Sequence, residues 1–393
     1  MTWTEAISVA WRPGADASAP HPPRQLHARC FTSREARQLS DPSFSKILHM
    51  RLYHMGRLRT AVIGVGIQGE NHVLAYRQHP LVDLVAVCDI NRARAREVAA
   101  KYGVERCYTD YREMLEKEEL DLVSVATPDH LHYEPTIAAI EAGINVLVEK
   151  PMATRLEEAE DIVRRARRRG VGLYVNFSNR FNPPFAALKE RVERGELGEP
   201  LYAYVRLSDT IYVPTKMLSW ASQTNVVFFL MSHTFDLVRW IFGSEAVSVE
   251  ARAEFRVLKR LGIDTPDYVV ALIEFEGGAR AVLESSWILP ESMPSIVDFH
   301  AEFIGTKGAA FIDTTYQMIS VASERFYYPR VTTATLANRR FVGFVREMIH
   351  SIVDALLEGR EPLVKPEDGL ENVRALTAIM RSYERGGGRV AVR

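Results

Sequence analysis

The sequence has little cysteine, almost no net charge and no long hydrophobic run. Its three cysteines, Cys30, Cys88 and Cys107, have neither the spacing of a metal site nor that of a disulfide framework. The 49 basic and 50 acidic side chains leave a formal net charge of -1, which gives no reason to expect nucleic acid or an anionic membrane as a partner. No apolar run approaches the length of a membrane span. We therefore expect a cytoplasmic protein in a reducing compartment, with neither nucleic acid nor a membrane as partner.

The sequence also lacks an internal repeat and a low-complexity linker, so its 393 residues are expected to form two domains that pack together. Residues 1–56 differ from the rest because they contain several prolines and show no sustained hydrophobic period. We predict there a disordered extension or a misassigned start, with Met50 or Met55 as the more natural beginning. A short partner-binding arm is the alternative. The two predicted domains are residues 57–177 and 178–393.

Strand and helix patterns alternate through the first of these domains. Continuous apolar runs are typical of strands buried on both faces of a parallel sheet, and they occur at residues 61–63, 84–87, 122–127 and 145–148. Helical patterns lie between or after these runs, at residues 92–102, 111–119, 133–142 and 156–169. Residues 172–177 close the sheet. This order predicts a Rossmann fold.

The pattern changes after residue 178. One helix at 185–196 is followed by longer strand patterns at 201–210, 246–255, 268–275, 279–287, 298–304 and 309–313. Glycine-containing segments at 276–278 and 305–308 are typical of hairpin turns. These features predict a second α/β domain with a large, mostly antiparallel open sheet. Helices are predicted at 226–242 and 341–358, and a last helix at 367–385 is expected to brace the first domain.

The strongest functional signal is the sequence GVGIQG at residues 64–69, between a predicted strand and a predicted helix. Gly64 permits a tight turn, Gly66 lets the backbone approach a pyrophosphate, and Gly69 lets the helix pack close to the strand. The phosphates would bind the free N–H groups where the helix begins, near Ile67 and Gln68. The segment is therefore predicted to bind a dinucleotide.

Asp89 indicates which dinucleotide is bound. It ends the second strand twenty positions after Gly69, where an acidic residue binds the ribose hydroxyls. Its charge would repel the additional phosphate of NADP, so NAD is predicted over NADP. Arg92 and Arg94 follow closely and could soften that preference.

Six short motifs give the chain a resemblance to the Gfo/Idh/MocA oxidoreductases from about residue 58 to the C-terminus. They are GVGIQG at 64–69, TPDHLH at 127–132, EKP at 149–151, NRFNP at 179–183, GELG at 195–198 and SHTFD at 232–236. The EKP motif is the most specific of them. The resemblance implies a Rossmann domain followed by an α/β domain whose open sheet forms a dimer or tetramer interface. It also implies NAD(P)-dependent oxidation or reduction of sugars, cyclic polyols and their derivatives between the two domains.

Two residues are predicted to be catalytic. Lys150 stands at the carboxyl end of a predicted strand, and a lysine beside a cationic nicotinamide has a lowered pKa, as proton transfer requires. A surface lysine is the alternative. His233 lies in an apolar helical stretch, where a structural histidine is common. The resemblance implies that His233 is the base that takes the hydroxyl proton.

The chain departs from the family pattern at one position. Sugar and polyol dehydrogenases of the family usually carry an aspartate four residues before the catalytic histidine, whereas this chain has Phe229. Four residues make about one helical turn, so Phe229 should face the same cleft as His233. Phe229 cannot relay a proton, although it can cover an apolar face of a substrate.

The remaining predicted contacts come from loops near these residues. For the cofactor they are Thr127, Pro128, His132 and Glu149, in addition to Lys150. Glu149 would orient the loop or Lys150, and Pro151 would fix it, through a cis peptide bond if one forms. For the substrate they are Arg180, Asn182, Tyr212, Trp220, Phe229 and Asp236. Lys216 is a weaker candidate.

Structural roles are weighed beside several of these assignments. Arg180 would suit a carboxylate or phosphate, but an interdomain salt bridge is an equal alternative. Asp236 could touch His233 or serve a salt bridge or cap. His72 is expected to be a helix-packing residue, and His130 either contacts the cofactor or is structural. His130 and His132 lack the accompanying ligands of a metal site, so no metal is predicted.

Together these features predict an NAD-dependent dehydrogenase that acts on a CH–OH group of a sugar, sugar acid or cyclic polyol. A homodimer or homotetramer through the C-terminal sheet is expected. One alternative is an NAD-binding regulator without turnover, and the other is an NAD-dependent glycosidase.

Overall fold

A computed structural model describes residues 57–393, and the predicted features of residues 1–56 lie outside this range. Within it, none of the helices is long and apolar enough to cross a membrane. Of the cysteines, Cys88 is a buried free thiol and Cys107 an exposed one. Among the described residues, no three His, Cys, Asp or Glu side chains form a group that could hold a metal ion.

The first part of the fold is a parallel sheet of six strands. Its strands are β1 (Leu58–Ile63), β2 (Val82–Cys88), β3 (Arg106–Tyr108), β4 (Leu122–Val125), β5 (Asn145–Val148) and β6 (Leu173–Val175). They lie in the order β3-β2-β1-β4-β5-β6. Strands β2 and β3 are added on one side of β1, and the chain then crosses to the other side of β1 for β4, as in a doubly wound dinucleotide-binding sheet. Every residue of β4 and β6 is buried, as the continuous apolar runs predicted. The Rossmann prediction is confirmed.

Helices connect and cover these strands. They are α1 (Ile67–Gln78), α2 (Arg92–Tyr102), α3 (Tyr111–Lys117), α4 (Tyr133–Glu141) and α5 (Leu156–Arg169). The Asn91 side chain accepts hydrogen bonds from the N–H groups of Ala93 and Arg94, which fixes where α2 begins. Gly103 and Gly170 adopt left-handed conformations that end α2 and α5.

The second sheet has seven strands. They are β7 (Pro200–Asp209), β8 (Ala246–Glu254), β9 (Tyr268–Phe275), β10 (Arg280–Ser286), β11 (Val297–Gly305), β12 (Ala309–Asp313) and, at the C-terminus, β17 (Val390–Ala391). Their order is β12-β11-β7-β10-β9-β8-β17, and only the β7–β10 pair is parallel. The predicted mostly antiparallel sheet and its two hairpins are confirmed.

Helices lie mainly on one face of this second sheet. They are α6 (Pro183–Glu193), α7 (Ser232–Phe242), α8 (Val257–Arg260) and α10 (Pro366–Glu384). Helix α9 (Phe344–Glu358) instead packs against α1 and belongs to the core of the first sheet. Alternate residues of β7, namely Ala203, Val205 and Leu207, point into the core under α7. The opposite face of the sheet carries exposed large side chains, including Tyr268, Leu272 and Phe311.

Helix α10 links the two sheets. Gly369 lies so close to the first sheet that a Cβ there would approach Val175 Cγ2 to 2.7 Å. Arg374 forms an ion pair of 3.4 Å with Glu160 of α5, and Arg167 of α5 pairs with Glu367. The carboxyl ends of the parallel strands are thereby held beside the helices of the second sheet.

Two regions differ from the sequence-based expectation. The helix predicted at 226–242 begins as a π-helical turn, Val227–Met231, before α7 starts at Ser232. The segment between β12 and α9 contains two small hairpins, with strands β13 (Val321–Ala322), β14 (Phe326–Tyr327), β15 (Thr335–Ala337) and β16 (Arg340–Val342). Strands of two or three residues are too short to show a hydrophobic period, so the sequence did not indicate them.

Candidate active site

Two close backbone approaches shape the turn after β1. Gly64 has a φ of 82°, and a Cβ at that position would lie 2.7 Å from the Ala126 carbonyl oxygen. A Cβ on Gly69 would lie 1.8 Å from the Gly64 carbonyl oxygen. In contrast, a Cβ on Gly66 would meet no atom within 4 Å. Gly64 and Gly69 therefore serve the turn and the helix packing, whereas Gly66 leaves open space beside the loop.

The beginning of α1 has the features of an anion site. Its N-cap is Gly66, so no side chain caps the first N–H groups of the helix. Ile67 is 63% exposed and Gln68 is also exposed, which keeps this end accessible. Uncapped N–H groups and the positive end of a helix dipole bind phosphates well. The residues present thus fit the pyrophosphate of a dinucleotide.

The Asp89 carboxylate lies beside the glycine loop. Oδ2 accepts the N–H of Val65 at 2.9 Å, and Oδ1 accepts the N–H of Asn91 at 2.9 Å. Arg94 donates to the Val65 carbonyl oxygen at 2.8 Å and forms an ion pair with Glu70. Because Arg94 is held by these contacts, its charge is balanced by Glu70 and is not free to offset the repulsion between Asp89 and a 2′-phosphate, whereas the Arg92 side chain stays exposed at the start of α2.

His132 joins the two loops that follow β4 and β5. Its Nδ1 lies 2.7 Å from the Pro151 carbonyl oxygen, and its Nε2 lies 2.9 Å from that of Thr127. The ring is buried, and Pro128 begins the short 3-10 turn between Thr127 and His132. The bond between Lys150 and Pro151 is cis, as the sequence interpretation allowed. His132 therefore fixes the loop geometry around Lys150 from inside the protein.

Glu149 belongs to a buried polar network under the site. Its Oε1 lies 2.9 Å from His72 Nε2 and accepts the Asn176 amide at 2.6 Å. His72 Nδ1 contacts the Ser124 hydroxyl, which also contacts Tyr76. Burial alone would raise the pKa of Glu149, but the contact with His72, the charge of Lys150 and the Asn176 hydrogen bond outweigh it and lower the pKa. The network ties α1 to the loop of Lys150, so His72 does more than pack.

Lys150 points across to the second part of the fold. Its Nζ donates to the Phe229 carbonyl oxygen at 2.8 Å and lies 4.9 Å from the centre of the Phe229 ring. Burial lowers the pKa of Lys150, and the charges of Glu149, Asp129 and Asp209 oppose this shift only in part. A lysine with a lowered pKa has more of the neutral amine that can accept a proton.

His233 lies on the same side as Lys150, in the first turn of α7. The Asn179 side-chain amide lies 3.2 Å from Nδ1 and donates to it. In a neutral imidazole with Nδ1 as acceptor, the proton is on Nε2. Burial lowers the pKa of His233 well below its usual value, and the positive charges of Lys150 and Arg330 lower it further. His233 is thus a neutral ring whose Nε2–H can donate a hydrogen bond.

An aromatic wall, defined here as Trp220, Phe229 and Trp287, stands beside Lys150. The ring centres of Phe229 and Trp287 are 6.0 Å apart, and those of Phe229 and Trp220 are 6.1 Å apart. His130 lies 6.0 Å from Trp220 and so continues the wall towards the Rossmann loops. The wall is apolar, whereas Lys150 and His233 are polar. The arrangement suits a molecule with one apolar face and reactive hydroxyl groups.

Arg180 and Asp236 bind each other in this structure. Both side chains are buried, and two hydrogen bonds join them, at 2.9 Å from Nε to Oδ2 and at 2.6 Å from Nη2 to Oδ1. Arg180 also pairs with Asp368 of α10 at 3.0 Å. Asp236 faces Arg180 rather than His233. Asp236 thus has the salt bridge that the sequence left as an alternative, whereas Arg180 binds two acids of its own predicted domain rather than bridging the two domains. The substrate contacts of both residues stay predictions.

Three other predicted substrate residues have partners other than Lys150. Asn182 is buried where α6 begins, and its N–H donates to the Asn179 carbonyl oxygen. Tyr212 is 40% exposed, and its ring faces Lys216. Lys216 forms an ion pair of 2.7 Å with Glu291. Of the candidate substrate contacts, Phe229 lies directly against Lys150, and Trp220 packs against Phe229.

Both parts of the chain match one protein family. Residues 58–177 match the oxidoreductase family with an NAD-binding Rossmann fold, and residues 189–392 match its C-terminal alpha/beta domain. The chain belongs to the Gfo/Idh/MocA oxidoreductase family.

Relatives of this oxidoreductase agree with that assignment. It is 29% identical over 336 residues to the scyllo-inositol 2-dehydrogenase (NAD(+)) of Bacillus subtilis, covering 84% of this chain and 95% of the relative. It is 28% identical to the myo-inositol 2-dehydrogenase of Thermotoga maritima, covering 79% of this chain and 92% of the relative. GenD2 from gentamicin A biosynthesis, solved in complex with NAD, shares 27% identity and a TM-score of 0.73, with 86% of this chain and 97% of GenD2 covered.

These comparisons confirm the predicted family, the NAD cofactor and the dehydrogenase class of this oxidoreductase. They give no support to the regulator or to the glycosidase.

Several residues beside Lys150 were not predicted as site residues. Asn179 was quoted only as part of a motif, and its contact with His233 depends on the fold. Asp209 lies at the end of a predicted strand on its buried face, which was a usable signal because an acid is rare in such a place. Trp287 also follows a predicted strand. Arg330 comes from the irregular segment before β15, where the sequence gave no signal.

Replacing Asp89 should change the cofactor preference of this oxidoreductase. In Asp89→Ser the charge that repels a 2′-phosphate is lost, so KM for NAD should rise about tenfold, at a cost of about 1.4 kcal/mol, and NADP should become usable. Asp83→Ser is the matched control because Asp83 is on the same strand but pairs with Arg57 at 2.7 Å. Initial rates with both cofactors test this. Unchanged NAD kinetics in Asp89→Ser would contradict the assignment.

Proposed function

We propose that this protein oxidises a secondary hydroxyl of a cyclic polyol or sugar, with NAD as the hydride acceptor and with Lys150 and His233 as the residues that act on the hydroxyl. The observation that carries the proposal is the placement of Lys150 Nζ against the aromatic wall, 4.9 Å from the Phe229 ring, beside the neutral His233. The inositol dehydrogenases among its relatives support the substrate class. Residues 57–177 would bind the cofactor and residues 178–393 the substrate.

Lys150 is the proton acceptor in this proposal. Bound NAD supplies an acceptor for the hydride that leaves the carbinol carbon. The hydroxyl proton must leave as the carbonyl forms, and the amine of Lys150 accepts it because burial has lowered the pKa of this side chain. The Phe229 carbonyl oxygen, at 2.8 Å from Nζ, holds the amine in place.

In this proposal His233 is not the base that the family resemblance implied. With Nδ1 occupied by the Asn179 amide at 3.2 Å, the ring presents its N–H to the substrate oxygen. Such a donor stabilises the negative charge that develops on oxygen as the proton leaves. His233 also remains neutral beside Lys150, so it does not compete for the same proton.

The aromatic wall favours a ring-shaped substrate. Sugars and cyclic polyols have C–H faces that pack on aromatic rings, while their hydroxyl groups project sideways. Trp220 and Phe229 would provide that surface, and Lys150 and His233 would meet the hydroxyl groups.

Assembly and location are part of the same proposal. The outer face of the second sheet exposes Tyr268, Leu272 and Phe311, which are 39%, 40% and 72% exposed. A second copy of the chain would cover them in a homodimer or homotetramer, and light scattering after size exclusion measures this directly.

We place the protein in the cytoplasm because NAD is a cytoplasmic cofactor and because Cys107 is an exposed free thiol.

The experiment that tests this function mixes the purified protein with NAD and a panel of inositols, sugars, glycosides and sugar acids. The absorbance of reduced nicotinamide is followed. Turnover with at least one ring-shaped polyol or sugar is expected. Tight binding of NAD without turnover on any member of the panel would count against the proposal.

Replacing His233 with alanine should lower kcat/KM about 100-fold, as expected for the loss of a donor to a developing oxyanion. Because the pKa of His233 lies well below its usual value, the ring should not titrate above about pH 6.5. The variant should therefore keep the shape of the wild-type pH profile above that pH, at a lower level. His300→Ala, on the opposite face of the sheet, is the control. A rising limb that disappears only in His233→Ala would show instead that His233 is the base.

A further inference from the structure

Asp209 is a buried acid at the end of β7. It is 3% exposed, and its side chain lies on the face of the strand that also carries Val205 and Leu207, under α7. Its Oδ1 is buried and has no hydrogen-bond partner. A buried carboxylate oxygen without a partner costs free energy and calls for an explanation. Such an arrangement is common where a group has to exchange a proton.

A short series of contacts connects Asp209 with the residues around Lys150. The N–H of Leu289 donates to the Asp209 carbonyl oxygen at 3.2 Å. Trp287, two residues before Leu289, packs against Phe229. The carbonyl oxygen and the ring of Phe229 both contact Lys150. Burial raises the pKa of Asp209 to about 7, against the opposing charges of Arg330 and Lys150. The carboxyl of Asp209 thus responds to the charge on Lys150.

The other carboxylates that act on Lys150 are already engaged. Glu149 accepts hydrogen bonds from His72, Asn176 and the Lys150 N–H. Asp129 accepts the Thr224 hydroxyl at 2.6 Å and the His130 N–H at 2.9 Å. Of the three carboxylates whose charges oppose the pKa shift of Lys150, only Asp209 has a buried oxygen without a partner.

The charges that act on Asp209 are those of Arg330 and Lys150, and the same two charges lower the pKa of the neutral His233. On α7, Asp236 is bound to Arg180. The charged side chains of β7, β10 and β11 near this end lie on the opposite face of the sheet, where Arg206 pairs with Asp298 and Tyr204 bonds to Glu284; His300 also contacts Asp298 there.

We propose that Asp209 is the carboxylate that receives the substrate proton from Lys150, a role that Phe229, one turn before His233, cannot fill. The inference rests on the proposed oxidation of a hydroxyl. In that step the O–H proton passes to the Lys150 amine, the C–H electron pair leaves as hydride to NAD, and the C=O bond forms. The ammonium of Lys150 then passes this proton to the Asp209 carboxylate, which restores the neutral amine, and the Asp209 carboxyl releases the proton to solvent before the next turnover. Asp209 acts through Lys150, so it is a positioning and relay residue.

The kinetic test compares Asp209→Asn with Asp209→Glu. A protonated Asp209 cannot accept a proton, so wild-type kcat for oxidation should fall as the pH drops through about 7. In Asp209→Asn kcat should be about 100-fold lower, and the fall through about pH 7 should disappear because the Asp209 carboxyl is gone. Any remaining fall belongs to Lys150 and should lie at lower pH, because the carboxylate no longer raises the pKa of that amine. Asp209→Glu should recover part of the rate. Asp298→Asn, a buried acid on the opposite face, should keep the wild-type profile. Wild-type kcat and profile in Asp209→Asn would overturn the proposal.

A second measurement does not depend on turnover. Reductive methylation of the full-length protein at a series of pH values, read by mass spectrometry of the peptide with Lys150, gives the apparent pKa of that amine. It should be lower in Asp209→Asn than in wild type, while Asp298→Asn should match wild type and NAD affinity should stay within threefold in all three proteins. An equal apparent pKa of the Lys150 amine in wild type and Asp209→Asn would refute the link between Asp209 and Lys150. A shifted titration in a protein that oxidises no polyol or sugar would keep the link and reject the proposed function.

Discussion

Replacing Lys150 with methionine should lower kcat about 1000-fold, within the range that a positioned acid or base contributes. Methionine keeps the length of the side chain and its packing against Phe229 but cannot accept a proton. The affinity for NAD should change little, because the glycine loop and Asp89 lie outside this contact. Initial rates with saturating NAD and substrate, together with a binding measurement for NAD, test the prediction.

Lys150→Arg is the matched control for charge. Arginine keeps the positive charge and its donors but stays protonated, so it should be as slow as methionine while KM for the substrate stays close to the wild-type value. A rate in Lys150→Arg near that of the wild type would show that Lys150 only orients the substrate by its charge. A rate in Lys150→Met above about a tenth of the wild type would remove it from proton transfer.

Replacing Arg180 with methionine should lower the free energy of unfolding by about 3 to 5 kcal/mol, the usual cost of leaving a buried charge without its partner. Arg180 joins Asp236 of α7 to Asp368 of α10, and all of these side chains are largely buried. Asp368 keeps a second partner in Arg239, so Asp236 bears most of the loss. The midpoint of urea unfolding, followed by circular dichroism, measures the effect.

Two further variants distinguish a structural role of Arg180 from a role in substrate binding. Arg180→Met combined with Asp236→Leu should recover part of the stability, because both charges are then removed together. Arg194→Met breaks an exposed pair with Glu190 and should leave the midpoint unchanged. A stable Arg180→Met variant that loses activity only on sugar acids would restore Arg180 as a substrate ligand.

The Rossmann half of the fold was predictable because its signals are local. The buried runs of β4 and β5 and the helix α2, with its Asn91 cap and Gly103 end, follow directly from period and capping chemistry. The positions of the glycine loop and of Asp89 beside it were predictable for the same reason, since both depend on spacing within one βαβ unit.

The second half of the site was less predictable because distant segments build it. Arg180 lies next to a motif, yet its partners Asp236 and Asp368 are 56 and 188 positions away. The tautomer of His233 depends on Asn179, and the neighbours of Lys150 include Phe229, 79 positions later. A sequence read without its fold shows which residues can carry charge, but burial and partners decide which of them do so at the site.

The central claim is that NAD takes a hydride from a ring carbon that bears a hydroxyl. The most direct measurement supplies inositols and sugars deuterated at their carbinol carbons, with NAD and the wild-type protein, and analyses the reduced cofactor by mass spectrometry. One deuterium at C4 of NADH is expected for each keto product formed. Bound NAD that acquires no deuterium from any of these compounds would contradict it.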